Sequence, residues 1–408
     1  MSEANRKKRV PFTPPRLPKE YAAILEFIKD PVTSLPVLLG CGTFGAVFKA
    51  TLRKPLAVLP AVSHSVSTDE LLSYVALKIQ HPTYYADKKL LAEYRILKIL
   101  GGHCNVVELL FYIFDVEQKI LTFAFPYFEQ TPFRVLVSEA SETEIKAYMV
   151  TLCTALEWIH INNVIHRDIK YSNFMFSRAL LTGKLIDFGL AVYMNELEEG
   201  CTSIPKNSGD YHVRPRPLFG NTSTITIANV GFLKQKKLVS ENVHVVNPFP
   251  IPAERHAGSP GFKALEVLLV CDLISSAIDI YAVGCILILL LLRKQEFFAQ
   301  ETKEAGVFEL VCLYGTKNVV DAVTTLGLKL DVELHNAVYE EKLYNAVGRK
   351  SVKQIICDLR SADSPFSPIA FEFLAHLLHL CPAKRMTASQ ALHHPFLKVE
   401  KIFPALPS

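Results

Sequence analysis

The sequence predicts an α+β fold: a small antiparallel sheet lobe carrying one helix, then a larger, mainly helical lobe. Three observations lead there. From Leu35 to about Phe125 the apolar residues fall in short strand-like runs, interrupted by a single stretch of helical spacing. Beyond Glu129 helical spacing takes over. A 408-residue chain with 50% apolar side chains also has more core to bury than one small domain holds.

The elements follow in order. The first twenty residues, MSEANRKKRVPFTPPRLPKE, are too poor in apolar side chains to repay their ordering entropy, and they read as a disordered tail. Within them RKKR (6–9) reads either as a nuclear import signal or as a solvated basic run. YAAILEFI (21–28) has the spacing of a short amphipathic helix. VLL, AVFKA, YVALKIQ and ILTFAF predict strands, with DKKLLAEYRILKIL (87–100) a helix between the last two. Helices are predicted at ETEIKAYMVTLCTALEWIHI (142–161), over 277–292 and at FEFLAHLLHL (371–380). AVGCILILLLL (282–292) has eleven residues bounded by Asp279 and Arg293, short of a bilayer span, so it reads as a buried helix. Residues 194–254 mix Pro, Asn, Ser and Gly with scattered apolar side chains, and loops of that length inside compact domains are functional or disordered.

Charge and cysteine usage narrow the function classes. A net charge of +4 sets up no whole-chain field that asks for nucleic acid or a membrane as partner. The nine cysteines include no C-x-x-C pair and are odd in number, which fits reduced thiols better than a disulfide framework or a zinc site. Reduced thiols imply a cytosolic or nuclear address, and no apolar signal stretch is read at the start of the sequence.

The chemistry begins at GCGTFGAVFKA (40–50), a G-x-G-x-x-G-x-V pattern in which Gly40, Gly42 and Gly45 let backbone N–H groups approach phosphate oxygens. Alone it is compatible with a plain turn, and no acidic residue follows at the distance a dinucleotide fold wants. YVALKI (74–79) then sets Lys78 on an apolar strand, where an ammonium is costly to desolvate unless something anionic meets it. Nucleotide phosphates and Glu93 on the next helix are the two partners on offer. Residues 164–176, VIHRDIKYSNFMF, crowd His166, Arg167, Asp168, Lys170 and Asn173 between apolar flanks, and Asp187-Phe188-Gly189 follows. Phosphoryl transfer to a hydroxyl needs such groups: a carboxylate near the attacking hydroxyl, a lysine near the moving phosphate, and oxygens to hold Mg²⁺. Asp168 is the expected base, Lys170 the cation, and Asn173 and Asp187 the metal ligands.

With these motifs in this order, the chain resembles the eukaryotic protein kinases over about residues 34 to 400. The resemblance implies a two-lobed fold with ATP in the cleft: a tail and short helix at 1–33, a kinase domain at 34–399, and a tail at 400–408. Within the domain it implies a small lobe at 34–125 and a large lobe at 126–399, with an insert at 194–254 in the activation segment. It implies a hinge near Phe125-Pro126-Tyr127 with Phe125 as gatekeeper, and a nucleotide site of Gly40, Gly42, Gly45, Val47, Ala76, Lys78, Phe125 and Tyr127. Asp168, Lys170, Lys78 and Glu93 form the implied catalytic set. GSPGFKALE (258–266) resembles the segment that seats substrate, with Glu266 expected to pair with Arg385, and Asp279 matches the aspartate that anchors the catalytic loop. His393-His394 invites a metal reading, but in kinases that position caps the last helix.

Lys170 and Ser259 look like a serine/threonine type. More narrowly, AEYRIL, GGHCNVV, PYFEQ, HRDIKYSNFMF and GSPGFKALEVL are similar to the cell division cycle seven kinases, catalytic subunits of the replication-initiating DDK complex. In that family an insert splits the activation segment, and here 74 residues separate Gly189 from Ala264. That resemblance implies a Dbf-four-type regulatory subunit and phosphorylation of the MCM replicative helicase; a nuclear site of action is expected, and from the charge no direct nucleic-acid or membrane partner. Lys263 would draw an acidic residue just after the target serine, or it is a solvated surface lysine. The departures are Ala264-Leu265-Glu266 for the usual APE, Tyr171 for the common proline, and the long excursion 52–73. A pseudokinase scaffold that binds nucleotide and partners without transfer is the alternative they leave open.

Overall fold

The structure, a computed structural model, describes residues 25–27, 37–42, 45–52, 74–80, 87–115, 120–194, 224–226, 230–231, 239–240, 244–245, 258–271, 274–300, 302–331 and 366–398. The basic run 6–9, the excursion 53–73, most of the insert and the C-terminal tail lie outside them. The chain divides into two compact units, residues 1–91 with 107–128 and residues 92–106 with 129–408.

The first unit is built on a six-stranded sheet: β1 (Leu25–Phe27), β2 (Val37–Gly42), β3 (Gly45–Leu52), β4 (Val75–Gln80), β5 (Phe111–Asp115) and β6 (Ile120–Pro126). Its order is β1-β3-β4-β6-β5, with β2 also pairing β3. The pleat sorts the side chains. Ala46, Phe48 and Ala50 lie opposite Ile79, Leu77 and Val75 and are all buried. On the other face Val47 lies opposite Lys78, and Ala76 opposite Phe125. Gly45, with φ at 148°, can only be glycine, because a Cβ there would stand 1.9 Å from the Ile79 carbonyl oxygen.

Two expectations are corrected here. Leu25–Phe27, expected within a helix, is a strand. The pairing of β2 stops at Lys49, so Ala50 to Leu52 of β3 offer open backbone groups, and Leu25 to Phe27 satisfy them in antiparallel register. The strand β5, absent from the sequence reading, pairs along β6 through Phe111 to Asp115.

The second unit is mainly helical. It takes up most of α1 (Asp87–Leu100), which spans the residues predicted from the sequence. α2 (Phe133–Glu139) and α3 (Glu142–Ile161) follow, the latter opened by a reciprocal capping box between Ser141 and Glu144. β7 (Val164–Ile165) and the hairpin β8 (Phe174–Ser177) with β9 (Thr182–Leu185) come next, and β10 (Val192–Tyr193) returns to pair β7. Five two- and three-residue strands, β11 (Thr224–Thr226), β12 (Val230–Gly231), β13 (Val239–Ser240), β14 (His244–Val245) and β15 (Lys329–Asp331), include four within the stretch expected to be irregular.

α4 (Leu265–Leu268) is a single turn, and α5 (Ala277–Leu292) is the buried helix its sequence predicts, fully enclosed from Ile278 to Leu292. At Gly284 a Cβ would meet Leu378 Cδ2 at 2.6 Å, so this glycine sets how closely α5 approaches the chain beside α8 (Pro368–Leu377). Arg293, just past α5, donates to the carbonyl oxygens of Val137 and Ala140 at 3.1 and 2.6 Å and so closes the end of α2. The remaining helices are α6 (Lys303–Tyr314), α7 (Thr316–Thr325) and α9 (Ala388–His393). Among the described residues no helix is long and apolar enough to cross a membrane.

Candidate active site

The polar cluster predicted at residues 166–173 is one connected hydrogen-bond network. β7 delivers the chain into it and β8 carries it away, so the loop is pinned at both ends by pairing. Underneath, Asp279 in the first turn of α5 accepts the N–H groups of His166 and Arg167 at 2.9 and 2.8 Å. His160 Nε2 lies 3.0 Å from the same carboxylate. Those bonds hold Arg167 in a left-handed conformation, φ 68°, that a free loop would avoid.

Asp168 is 4% exposed, and its carboxylate meets three donors. Ser259 Oγ donates to Oδ1 at 2.8 Å, while Lys170 Nζ and Asn173 Nδ2 reach Oδ2 at 2.9 and 3.0 Å. Lys170 also donates to Ser259 Oγ at 2.7 Å, so one hydroxyl oxygen is held between a carboxylate and an ammonium. Asn173 Nδ2 additionally donates to the Asp168 carbonyl at 2.9 Å. With Nδ2 the donor in both bonds, Asn173 Oδ1 is left as an oxygen ligand for a cation.

His166 joins this loop to the Asp187 segment. Its Nε2 lies 3.0 Å from the Ile186 carbonyl, and its Nδ1 accepts the Asp168 N–H at 3.3 Å, so the ring proton sits on Nε2. Its ring meets Phe188 edge to face, with centroids 4.9 Å apart. Asp187 is itself left-handed, φ 65°, a conformation that aspartate adopts more readily than most residues. A Cβ placed on Gly189 would stand 3.5 Å from Asp187 Oδ1 and 3.6 Å from Glu93 Oε2, so both carboxylates border one point. Glu93 is 3% exposed. The oxygen donors of Asn173 and Asp187 are hard ligands of the kind Mg²⁺ takes, and the residues fit that ion.

The segment carrying Ser259 is clamped from two sides. The buried pair Glu266 and Arg385 is bidentate, at 2.7 and 3.2 Å, and Arg385 also donates to the Ala277, His379 and Leu380 carbonyls. Gln300 Oε1 accepts the N–H groups of Gly261 and Lys263 at 3.0 Å each, and its Nε2 donates to the Lys263 carbonyl. Gln300 had no sequence signal, since nothing local marks a glutamine that binds backbone 37 positions away. Leu265, where the alanine-leucine-glutamate departure falls, is fully buried in α4. Burial pushes the Lys263 ammonium below its ordinary pKa, and the Asp168 charge opposes that shift.

The predicted nucleotide residues of the first unit share a sheet face. Gly40 and Gly42 pair with Val47 and Gly45 on β3, and Val47 stands opposite Lys78, with Ala76 opposite Phe125. The Tyr127 N–H donates to the Tyr74 carbonyl at 3.2 Å, and the Lys49 ammonium sits 3.9 and 4.2 Å from the Tyr127 and Tyr74 ring centres. The His394 N–H donates to the Ala391 carbonyl at the end of α9, while its Nδ1 accepts the Phe396 N–H of the next turn at 3.2 Å. Glu372 and His376 bring their ligand atoms within 4.8 Å of His394.

A family model described as a protein kinase domain matches residues 35–211 and 218–397. "Probable cell division control protein 7 homolog 1" of Encephalitozoon cuniculi (strain GB-M1) is 30% identical over 358 residues, covering 88% of this chain and 90% of the relative. A second such protein of that organism, homolog 2, is equally similar. "Cell cycle serine/threonine-protein kinase hsk1" of Schizosaccharomyces pombe is 26% identical over 340 residues, 79% of this chain and 62% of the relative.

Proposed function

The chain belongs to the protein kinase domain family and is a serine/threonine protein kinase, and from that premise we propose that it is the DDK-type enzyme that phosphorylates the MCM helicase. The observation that supports the chemistry is the hydroxyl held between Asp168 and Lys170. A substrate hydroxyl entering there meets a carboxylate able to accept its proton and an ammonium able to offset charge on the moving phosphoryl group. The attacking oxygen bonds to the γ-phosphorus of ATP, the bond to the β-bridging oxygen breaks, and ADP leaves.

In this reading Asp168 orients the acceptor and takes its proton. Lys170 offsets charge, Glu93 belongs to the catalytic set, and Lys78 meets phosphate oxygens on the sheet face that Gly40, Gly42, Gly45, Val47 and Ala76 line. Phe125 and Tyr127 border the base. Asn173 and Asp187 would hold Mg²⁺, which when bound neutralises phosphate charge. Lys263 selects an acidic residue after the acceptor. The similarity to cell division control protein 7 homologues supports a separate regulatory subunit of the Dbf-four type and a nuclear site of action.

The test mixes the purified chain with ATP, Mg²⁺ and an MCM subunit, with and without a candidate regulator. Transfer to the subunit that rises at least tenfold with the regulator is expected. Full activity of the isolated chain contradicts the regulatory reading, and transfer to generic substrates but not to MCM contradicts the substrate.

A further inference from the structure

Tyr171 stands where a proline is common, directly after Lys170, and no catalytic step above uses it. It is 36% exposed, a large ring kept at the surface of the catalytic loop. One of its faces stacks on Phe133 at the start of α2, with centroids 4.3 Å apart and planes within 6° of parallel. Phe262 meets it edge to face at 5.9 Å. Three elements far apart in sequence thus contribute rings to one aromatic shelf. Such pairs are stable partly through ring geometry and not only through burial, so the shelf is held in one arrangement.

The shelf adjoins the acceptor site. Tyr171 is one Cα step, about 3.8 Å, from Lys170, and Phe262 lines the same small cavity as Asp168, Ser259 and Lys263. An extended peptide advances about 3.3 Å per residue, so a chain whose hydroxyl rests on Asp168 has its near neighbours over the shelf. Charge narrows the occupant. Ring faces carry a negative quadrupole that disfavours a carboxylate, and Lys170 and Lys263 disfavour a guanidinium.

We propose that the Phe133–Tyr171–Phe262 shelf is a substrate subsite that takes a large apolar or aromatic side chain within three residues of the phosphoacceptor. The inference rests on the kinase reading above. Tyr171 is its specificity-determining residue.

The test scans synthetic serine peptides in which each position from three before to three after the acceptor is Ala, Leu, Phe, Arg or Asp, using the chain with its regulator, ATP and Mg²⁺. At one position Phe or Leu should exceed Ala by about fivefold or more in kcat/KM. Y171A should bring that ratio within twofold of unity, and Y171F should keep it. The ratio is taken within one preparation, so a poorly folded fraction cancels; should Y171A yield no folded protein, F262A serves in its place. A wild-type enzyme active on the peptides but without an apolar preference overturns the shelf and leaves the kinase reading intact, as does a preference that survives Y171A. No transfer to any peptide overturns both.

Discussion

Asp168 receives a hydroxyl, an ammonium and an amide at once, and each came from a different part of the sequence signal. Lys170 and Asn173 are local, at fixed offsets from the aspartate, and so were legible as a motif. The bond from Ser259 spans 91 positions; the sequence marked the serine as part of a substrate-seating segment but not its contact with the carboxylate. Gln300, His160 and the aromatic partners of Tyr171 were not legible, because a side chain bound to distant backbone or rings leaves no periodicity or spacing. Lys263 carries the residue-scale prediction. Its ammonium is depressed by burial and supported by Asp168, and in the proposed function it reads an acidic neighbour of the acceptor. Peptides with Asp after the serine should be phosphorylated about fivefold better than those with Ala, and K263A should erase the difference; no gain from Asp in the wild type contradicts the role.

At the scale of elements, α1, α3 and α5 run over the residues their apolar spacing predicts. Each has a long run of apolar side chains, and α3 has in addition a start fixed by the Ser141 cap. Short elements were less legible. In Leu25–Phe27 the open edge of β3 outweighed helical spacing, and in β5 pairing along β6 was decisive. α5 matters most to the site, because Asp279 in its first turn carries two loop N–H groups. D279A leaves both unsatisfied, at about 1–3 kcal/mol each. A lower melting temperature and a kcat reduced by roughly tenfold or more are expected, whereas an unchanged kcat in folded D279A protein shows that the loop holds itself. S141A removes the cap of α3 and should cost about 1 kcal/mol, read by denaturant unfolding.

Over the whole molecule, stability draws on carboxylates that combine near and distant partners. Burial pushes the Glu142 carboxyl up, yet hydrogen bonds from Lys146 and the Ser367 N–H outweigh it and hold it below its ordinary 4.5. Glu144 is likewise lowered: burial opposes, and Arg178 and Ser141 prevail. A carboxyl lowered on folding contributes stability that is fully present above its unfolded value and is lost as pH falls through the folded one. Stability should therefore decline below about pH 4.5, and replacing both residues by glutamine should flatten that slope; an unaltered slope contradicts the assignment. The pair of Glu266 and Arg385, 119 positions apart, is a second such tie. R385M strands a buried carboxylate and should cost about 3–5 kcal/mol.

The most direct measurement is phosphate incorporation by mass spectrometry, comparing wild type with D168N, each with regulator, ATP, Mg²⁺ and substrate. The wild type should label serine or threonine, and D168N should fall at least a hundredfold while keeping its melting temperature. Equal labelling by a folded D168N protein contradicts a role for this carboxylate in phosphoryl transfer.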